Sequence, residues 1–225
     1  MAATPTANFT PRAQRTRLRI LEAAEAHFAA RGFSAARLED IAGSVGIRRA
    51  ALFYYFRNKR DLYGAVLDSV FGGLLERLRS ALSARAPFPR RMEGAVNAWV
   101  DYVGERPSLA RFVLREAAKT ALERKEVVKY VAVLLGLLKR VFEEDERNRH
   151  FLEAPIDAIH FASTIGGATV FLVAAAPNFV PDLPFDPISP EQLEAHRREM
   201  LTITRRLLGT HAPRMAMKSA KRRSK

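Results

Sequence analysis

The segment from residue 38 to residue 56 most strongly limits the folds open to this chain. It holds two short runs with helical apolar spacing, residues 38–45 and 48–56, on either side of Gly46. Glycine adopts positive φ without penalty, so it suits a tight turn between two helices. The apolar side chains expected to fill the angle between these helices are Ile41, Val45, Ile47 and Leu52. The segment therefore predicts a helix-turn-helix.

The outer face of the second short helix is basic and aromatic. Its side chains are Arg48, Arg49, Ala51, Tyr54 and Tyr55. Arginine hydrogen-bonds guanine O6 and N7 in the major groove or binds phosphate, and tyrosine hydroxyls bind phosphate. Phe53 and Phe56 are the better candidates for the core. The pattern favours contact with double-stranded DNA, and a solvated basic face with core tyrosines is the alternative.

Residues 15–62, about a fifth of the chain, resemble the DNA-binding domain of the tetracycline-repressor (TetR) family of transcriptional regulators. The resemblance is specific because residue types and spacings match together. The matching residues are Gly32-Phe33, Asp40-Ile41-Ala42, Val45-Gly46-Ile47, Ala50-Ala51-Leu52-Phe53-Tyr54-Tyr55-Phe56, Lys59 and Leu62.

The resemblance implies seven DNA-binding positions. Those on the recognition helix, facing bases and nearby backbone, are Arg48, Arg49, Ala51 and Tyr54. Tyr55 and Lys59 fall where the family contacts phosphate, Lys59 at the start of the fourth helix. Arg37 occupies the position that often has a Thr or Ser capping the second helix and touching phosphate.

The chain departs from the family pattern at three of its recognition-helix residues. Arg48 replaces a Ser-like N-cap, Ala51 replaces a frequent phosphate-binding Thr, and Phe53 replaces a frequent Tyr. The missing cap should weaken the helix by ~0.5–2 kcal/mol. An arginine at a helix N-terminus is also disfavoured by the macrodipole, so its presence makes more sense if DNA compensates it.

Helical periodicity also dominates the rest of the chain, and no strand pattern or repeat is present. A first helix carries Leu18 and Phe28 on one face and closes at Gly32, and Asn58 is the expected N-cap of a long helix, 59–85. Prolines 87 and 89 mark a loop. The later predicted helices are 92–104, 108–120, 122–146, 156–175 and 191–208, the last with Ser189 as N-cap and Pro190 at its start, and 176–190 is a predicted loop.

These elements predict an all-α fold. An N-terminal three-helix domain with the helix-turn-helix precedes a helical domain that the resemblance assigns to ligand binding and dimerisation. The predicted division is a disordered segment at 1–11, a DNA-binding domain at 12–62 (the head), a helical domain at 63–209 (the body) and a basic disordered tail at 210–225.

The net charge of +13 is concentrated at the two ends of the chain. Residues 1–62 hold 11 basic and 5 acidic side chains, and residues 211–225 hold 6 basic and no acidic ones, whereas the body is nearly neutral. A basic head suits a polyanion. For the tail, solubility and a weak DNA contact are equally good interpretations. For the arginines at the start of the first helix, a solvated face and contact with flanking DNA are equally good; these are Arg12, Arg15, Arg17 and Arg19.

Most aromatic residues of the body are expected in its core, and a subset could line an apolar ligand cavity. The candidate ligand-binding residues are Trp99, Tyr102, Phe112, Tyr130, His160 and Phe161. For His160 the favoured interpretation is a core or interface histidine. Asp157 lies three residues before it, but no third ligand is near, so no metal site is expected. Gly166 and Gly167 would permit a close helix approach, within the body or at a subunit interface.

Several function classes have no support in the sequence. The chain has no cysteine, which excludes disulfides, thiolate zinc sites and cysteine nucleophiles. It lacks the phosphate-binding, dinucleotide-binding, serine-hydrolase and zinc-protease motifs. We therefore expect no enzyme, no catalytic residue, no cofactor and no metal. Residues 161–181 are uncharged, but their apolar part is shorter than the ~20 residues of a membrane span. With no signal peptide in residues 1–11, the expected location is the cytoplasm, at a bacterial-type nucleoid.

The resemblance implies a homodimeric regulator that joins through helices 156–175 and 191–208. It would bind a palindromic double-stranded DNA operator. A small, largely apolar effector in the body would release it, and repression is the expected role. The alternatives are a transcriptional activator of the same fold and a basic protein that coats DNA without sequence preference.

Overall fold

The described part of the chain is helical throughout. The structure, a computed structural model, describes residues 10–118, 125–148, 157–179, 182 and 184–209. Within these ranges there is no strand, so the predicted all-α fold is confirmed. The helices are α1 (Pro11–Ala35), α2 (Leu38–Val45), α3 (Arg49–Tyr55), α4 (Lys59–Leu82), α5 (Phe88–Glu105), α6 (Ser108–Ala117), α7 (Lys125–Asn148), α8 (Ala158–Ala174), α9 (Ala176–Phe179) and α10 (Pro190–Leu207).

The described chain begins at Thr10, so it includes residues 10 and 11, the last two of the predicted disordered segment. Thr10 is the N-cap of α1 and accepts a hydrogen bond from Ala13 N, and Pro11 is its first residue. The rest of that segment and the predicted tail at 210–225 lie outside the described residues. At Gly32, where the first helix was expected to close, φ is 75° and the helix is kinked.

Local capping signals set several helix starts correctly. Asn58 Oδ1 accepts from Asp61 N at 2.9 Å at the start of α4, and Ser189 accepts from Gln192 N at the start of α10. In α8, Asp157 accepts from the backbone of Ile159 and His160. These hydrogen bonds hold the pKa of Asp157 below its usual value, and the one from His160 N contributes most.

Several predicted boundaries are wrong, among them the end of α6, which lies at Ala117 rather than at residue 120. Helix α5 starts at Phe88 rather than residue 92, because Pro87 is its N-cap and Pro89 lies in its first turn, where a missing N–H breaks no helical bond. Helix α4 ends at Leu82, three residues early. The predicted loop 176–190 contains the single-turn helix α9.

Helix α4 runs through the predicted boundary between head and body. Every fourth residue of it is buried, in the series Leu62, Val66, Val70, Leu74, Leu78 and Leu82. Burying each such side chain contributes ~1.5–3 kcal/mol. One face of α4 packs against α1, and others pack against α5 and α7. The buried residues of head and body form one continuous apolar core, so the division at residues 62 and 63 stays a prediction.

Polar contacts join head and body across the junction of α1, α4 and α6, which we call the seam. Tyr63 of α4 donates a hydrogen bond to the buried carboxylate of Glu116 at 2.6 Å. Arg106 forms an ion pair with Glu25 of α1 and donates to the carbonyl oxygen of Ser69 at 3.0 Å. Arg106 follows α5 and precedes α6, so its contacts tie the connection between these helices to α1 and α4.

Candidate nucleic-acid interface

The turn between α2 and α3 is built on Gly46. Its φ of 75° and ψ of 32° lie in the left-handed region, as expected for a glycine at this turn. Gly46 N donates to Gly43 O at 3.0 Å and Ile47 N donates to Ala42 O at 3.0 Å, which closes the end of α2. A Cβ at Gly46 would meet no atom within 4 Å, so the requirement for glycine is conformational rather than steric.

Few side chains of α3 pack into the core. Leu52 and Phe56 are buried, together with Ile41 and Val45 of α2, and Ile47 is half-buried. The predicted packing between the two helices is confirmed. The exposed residues on and around α3 are Arg48, Arg49, Ala50, Phe53 and Tyr54, whereas Ala51 and Tyr55 are half-buried.

The placement of Phe53 in the core is wrong. Its side chain is 46% exposed, because the buried side of this short helix is taken by Leu52 and Phe56, four residues apart. The guanidinium of Arg49 lies over the Phe53 ring at 5.8 Å from its centroid. The spacing of four residues between Arg49 and Phe53 was a signal in the sequence that could have indicated this contact.

Glu39 is a residue of this surface that the sequence analysis missed. It lies in the first turn of α2, and its Oε1 is 3.1 Å from Nε of Arg49. Both side chains are 56% exposed. Ten residues separate the pair across a turn, so no local spacing rule could have indicated it.

The other predicted DNA-binding residues have different surroundings. Arg37 is the N-cap residue of α2 and Arg48 that of α3, and neither side chain caps its helix, as expected for arginine. Tyr54 is 68% exposed and packs edge-on against Tyr55 at 5.0 Å. Lys59 donates to the Ser34 carbonyl oxygen at 3.0 Å and lies over the Phe33 ring, so it also ties α4 to α1. Contact of these residues with DNA stays a prediction.

The four arginines at the start of α1 divide into two pairs. Arg17 lies over the Phe56 ring at 5.0 Å from its centroid. Arg19 donates to the carbonyl oxygen of Val45, the last residue of α2, at 3.0 Å. Both therefore support the helix-turn-helix. Arg12 and Arg15 are exposed on the first turns of α1, and contact of these two with flanking DNA stays a prediction.

The head matches a known family along its length. Residues 20–66 match the sequence profile of bacterial regulatory proteins of the tetR family. The resemblance of the head to the TetR family is confirmed over these residues. The transcriptional regulator TtgR of Pseudomonas putida is 47% identical over 58 residues, which are 26% of this chain and 28% of TtgR. The transcriptional activator FasR of Mycolicibacterium smegmatis is 34% identical over 96 residues, 43% of each chain. The chain thus spans less than half the length of these relatives.

The TetR-family likeness extends to the body as a fold. The regulator FadR of Bacillus subtilis, solved in complex with stearoyl-CoA, has a TM-score of 0.65 at 18% identity, covering 86% of this chain and 99% of that one. AibR, solved with isovaleryl coenzyme A and operator DNA, has a TM-score of 0.66 at 18% identity, covering 84% and 97%. The predicted arrangement, a helix-turn-helix domain followed by a helical domain, is confirmed.

The candidate ligand-binding residues of the body differ in their burial and in their neighbours. Those that are buried are Trp99, Tyr102, Phe112, Tyr130 and Phe161. Tyr102 donates to the Val70 carbonyl oxygen at 2.6 Å, Tyr130 stacks on Phe71, and Phe161 packs on Phe142. Within the part of the chain that the structure describes, the buried indole Nε1 of Trp99 has no hydrogen-bond partner. Whether any of the five binds a ligand stays a prediction.

His160 and the glycine pair of α8 lie differently from what was expected. The His160 side chain is 88% exposed with Nδ1 3.1 Å from Asp157 Oδ1, so a core histidine is wrong and the interface and ligand roles stay predictions. A Cβ at Gly166 would lie 3.9 Å from the Trp99 ring, whereas one at Gly167 would meet nothing. Gly166 therefore serves an internal helix crossing and Gly167 faces outward.

The described residues contain no cluster of three or more side chains that could hold a metal ion. Among them, no helix is long and apolar enough to cross a bilayer.

Proposed function

We propose that this chain is a DNA-binding transcriptional regulator that works as a homodimer and responds to a small effector in its body. The observation that carries the proposal is the exposed face of α3. Arg48, Arg49 and Tyr54 project from a helix that the core holds by Leu52 and Phe56. An exposed basic and aromatic helix after a glycine turn suits the major groove of DNA.

The outward face of α8 supports dimerisation. Every fourth residue on it is exposed, in the series Ile159, Ser163, Gly167 and Phe171. Phe171 is 54% exposed and stacks on the exposed Phe179 of α9. Small residues between large apolar ones suit the close approach of a second helix. We assign this face, together with α10, to the contact with a second copy, which would place two recognition helices on a palindromic operator.

The body is the site we assign to the effector. Its core is rich in aromatic side chains. Trp99 Nε1 is a buried donor with no partner among the described residues, the kind of polar group that orients a ligand in an apolar pocket. Two proteins of the same fold were solved with acyl-CoA molecules, so acyl-CoAs of different chain lengths are the first compounds to test. To weaken operator binding 100-fold, the effector needs ~2.7 kcal/mol of differential affinity between two conformers.

Repression is the role we assign, and activation is the second candidate. One matching relative is named as a transcriptional activator, and the DNA-binding surface is compatible with either outcome. A reporter gene downstream of the operator separates them, since deleting the regulator raises expression of a repressed gene and lowers expression of an activated one.

The deciding experiment is selection of bound duplexes from a random DNA library at ~150 mM salt, where nonspecific phosphate binding is suppressed. A two-fold-symmetric consensus is the expected result. The effector screen then measures release of that duplex by each acyl-CoA. Enrichment of no sequence would contradict the proposal and favour a protein that coats DNA.

A further inference from the structure

Arg49 is held from two sides on the exposed face of α3. Glu39 Oε1 lies 3.1 Å from its Nε, and the Phe53 ring lies beneath its guanidinium at 5.8 Å. Arg48, its neighbour, has no side-chain ion pair or hydrogen bond to any part of the chain that the structure describes. The chain thus fixes one arginine of the DNA-facing surface and leaves the other to solvent.

The position of Glu39 determines which edge of the guanidinium remains available. The carboxylate contacts Nε, so the pair does not use the end-on edge of the guanidinium that Nη1 and Nη2 form. Two parallel donors of this kind match O6 and N7 of guanine in the major groove. The Phe53 ring limits rotation of the guanidinium plane, which favours a planar contact with a base edge.

The charge of Glu39 acts against the alternative contact. A carboxylate on a DNA-facing surface repels phosphate and neutralises part of the arginine charge. A surface ion pair of this exposure adds little to folding stability. A stabilising role is therefore a weak explanation for an acidic residue at this place.

We propose that Glu39 is a specificity-determining residue, which with Phe53 directs Arg49 to a guanine rather than to a phosphate. Glu39 acts through Arg49 and is a positioning residue. This inference rests on the proposed function, because it assumes that α3 meets DNA. It adds that Arg49 recognises a base, that this base is guanine and that Glu39 orients Arg49.

The test compares Glu39→Gln, Arg49→Ala, the double variant and wild type on the selected consensus, on each single-base change of it and on an unrelated duplex. Glu22→Gln is the control, since it removes the same charge from an exposed residue of the head that lies on α1. Thermal unfolding checks that each variant is folded. Binding is measured over a range of salt concentrations.

We expect Arg49→Ala to lose about 5- to 150-fold of discrimination at one G·C pair in each half-site. Glu39→Gln should lose at least fivefold at the same pair while binding the unrelated duplex more tightly, with a salt dependence steeper by about one unit per head as Arg49 turns to phosphate. In the Arg49→Ala background, Glu39→Gln should cause no further loss at that pair. Glu22→Gln should keep the full discrimination.

Three results would overturn the inference. Glu39→Gln could keep wild-type discrimination, or it could weaken all duplexes equally, or its effect could fall on a different base pair from that of Arg49→Ala. In each case the wild-type consensus would remain and the proposed function would stand. Failure of the wild type to select any sequence would overturn both.

Discussion

The outer face of the head and the seam between head and body are both rich in charge, but they differ in how their charges are held. On the outer face, Arg49 and Glu39 pair while each stays more than half exposed. In the seam, Glu116 is 4% exposed and accepts from Tyr63, and Glu25 is largely buried against Arg106. Exposed pairs contribute ~0–1 kcal/mol, whereas hydrogen bonds to buried charges contribute ~1.5–3 kcal/mol.

This difference separates two kinds of residue in one small domain. Side chains of the outer face can change without unfolding the head, so they are free to determine what the protein binds. Side chains of the seam determine whether the head is held to the body. Arg115, in the last turn of α6, illustrates the second kind, because its Nε donates to the Ala29 carbonyl oxygen of α1 at 3.0 Å.

The largest expected effect tests whether the head has a core of its own. Phe28 is fully buried and packs edge-on against Tyr63 of α4 at 5.0 Å. We expect Phe28→Ala to lower the free energy of unfolding by about 3–5 kcal/mol, because it removes a large buried side chain and leaves a cavity. If the core is continuous, urea denaturation should show one transition, shifted as a whole.

Phe53→Ala is the matched control for that experiment. The same substitution at an exposed phenylalanine should change the unfolding free energy by no more than about 0.5 kcal/mol. A separate early transition of the head in Phe28→Ala, with the transition of the body unmoved, would contradict the shared core and break the comparison.

A smaller effect is expected from Arg106, the residue with most contacts in the seam. Besides Glu25 and the Ser69 carbonyl, its guanidinium donates to the Tyr102 hydroxyl at 3.1 Å. Burial lowers its pKa, but the hydrogen bonds and charge of Glu25 outweigh this and raise it, so the residue stays charged. Arg106→Gln should lower the unfolding free energy by about 1–3 kcal/mol, since Glu25 loses its cation.

Arg106→Gln also tests whether the seam carries the effector signal to the head. If the seam transmits the effector signal, the release of operator by an effector should weaken in Arg106→Gln, while operator affinity without effector stays near wild type. Arg111→Gln is the control, because Arg111 is exposed and lines, with Arg106 and Glu25, an open cleft of about 600 Å³. Unchanged release in Arg106→Gln would assign coupling to the apolar core alone.

The two regions also differ in how far the sequence predicted them. The helix-turn-helix follows from local rules, since Gly46 must adopt positive φ and Asn58 caps through the residue three positions later. The capped starts of α4 and α10 were predicted for the same reason. A proline pair is ambiguous by comparison, because prolines suit both a loop and a first helical turn, and the start of α5 was missed for that reason.

The rest depends on residues far apart in the chain. Arg106 and Glu25 are 81 positions apart, and no spacing rule pairs them. The contact between Glu39 and Arg49 depends on the angle between two helices, which the sequence fixes only through packing. The aromatic residues of the body could be predicted as buried. Which partner each one contacts, among Val70, Phe71 and Phe142, could not be predicted, because it depends on how the helices are placed.

The smallest expected effect concerns a pH-sensitive contact in the body, between α8 and α10. The Thr169 hydroxyl donates to the Ile165 carbonyl oxygen at 2.9 Å, so its oxygen accepts from His196 Nε2 at 2.9 Å. Burial lowers the pKa of His196 below its usual 6.5, because the charged form is less well solvated. The unfolded chain therefore binds the proton more readily than the folded one.

The sign of the pH effect follows from that lowered pKa. The contribution of His196 is fully present above pH ~6.5 and is lost as the pH falls through the lower folded pKa. We expect His196→Gln, which keeps a donor toward Thr169, to flatten the fall in melting temperature between pH ~7 and 5. An equal slope in wild type and His196→Gln would place the acid sensitivity outside the contact between α8 and α10.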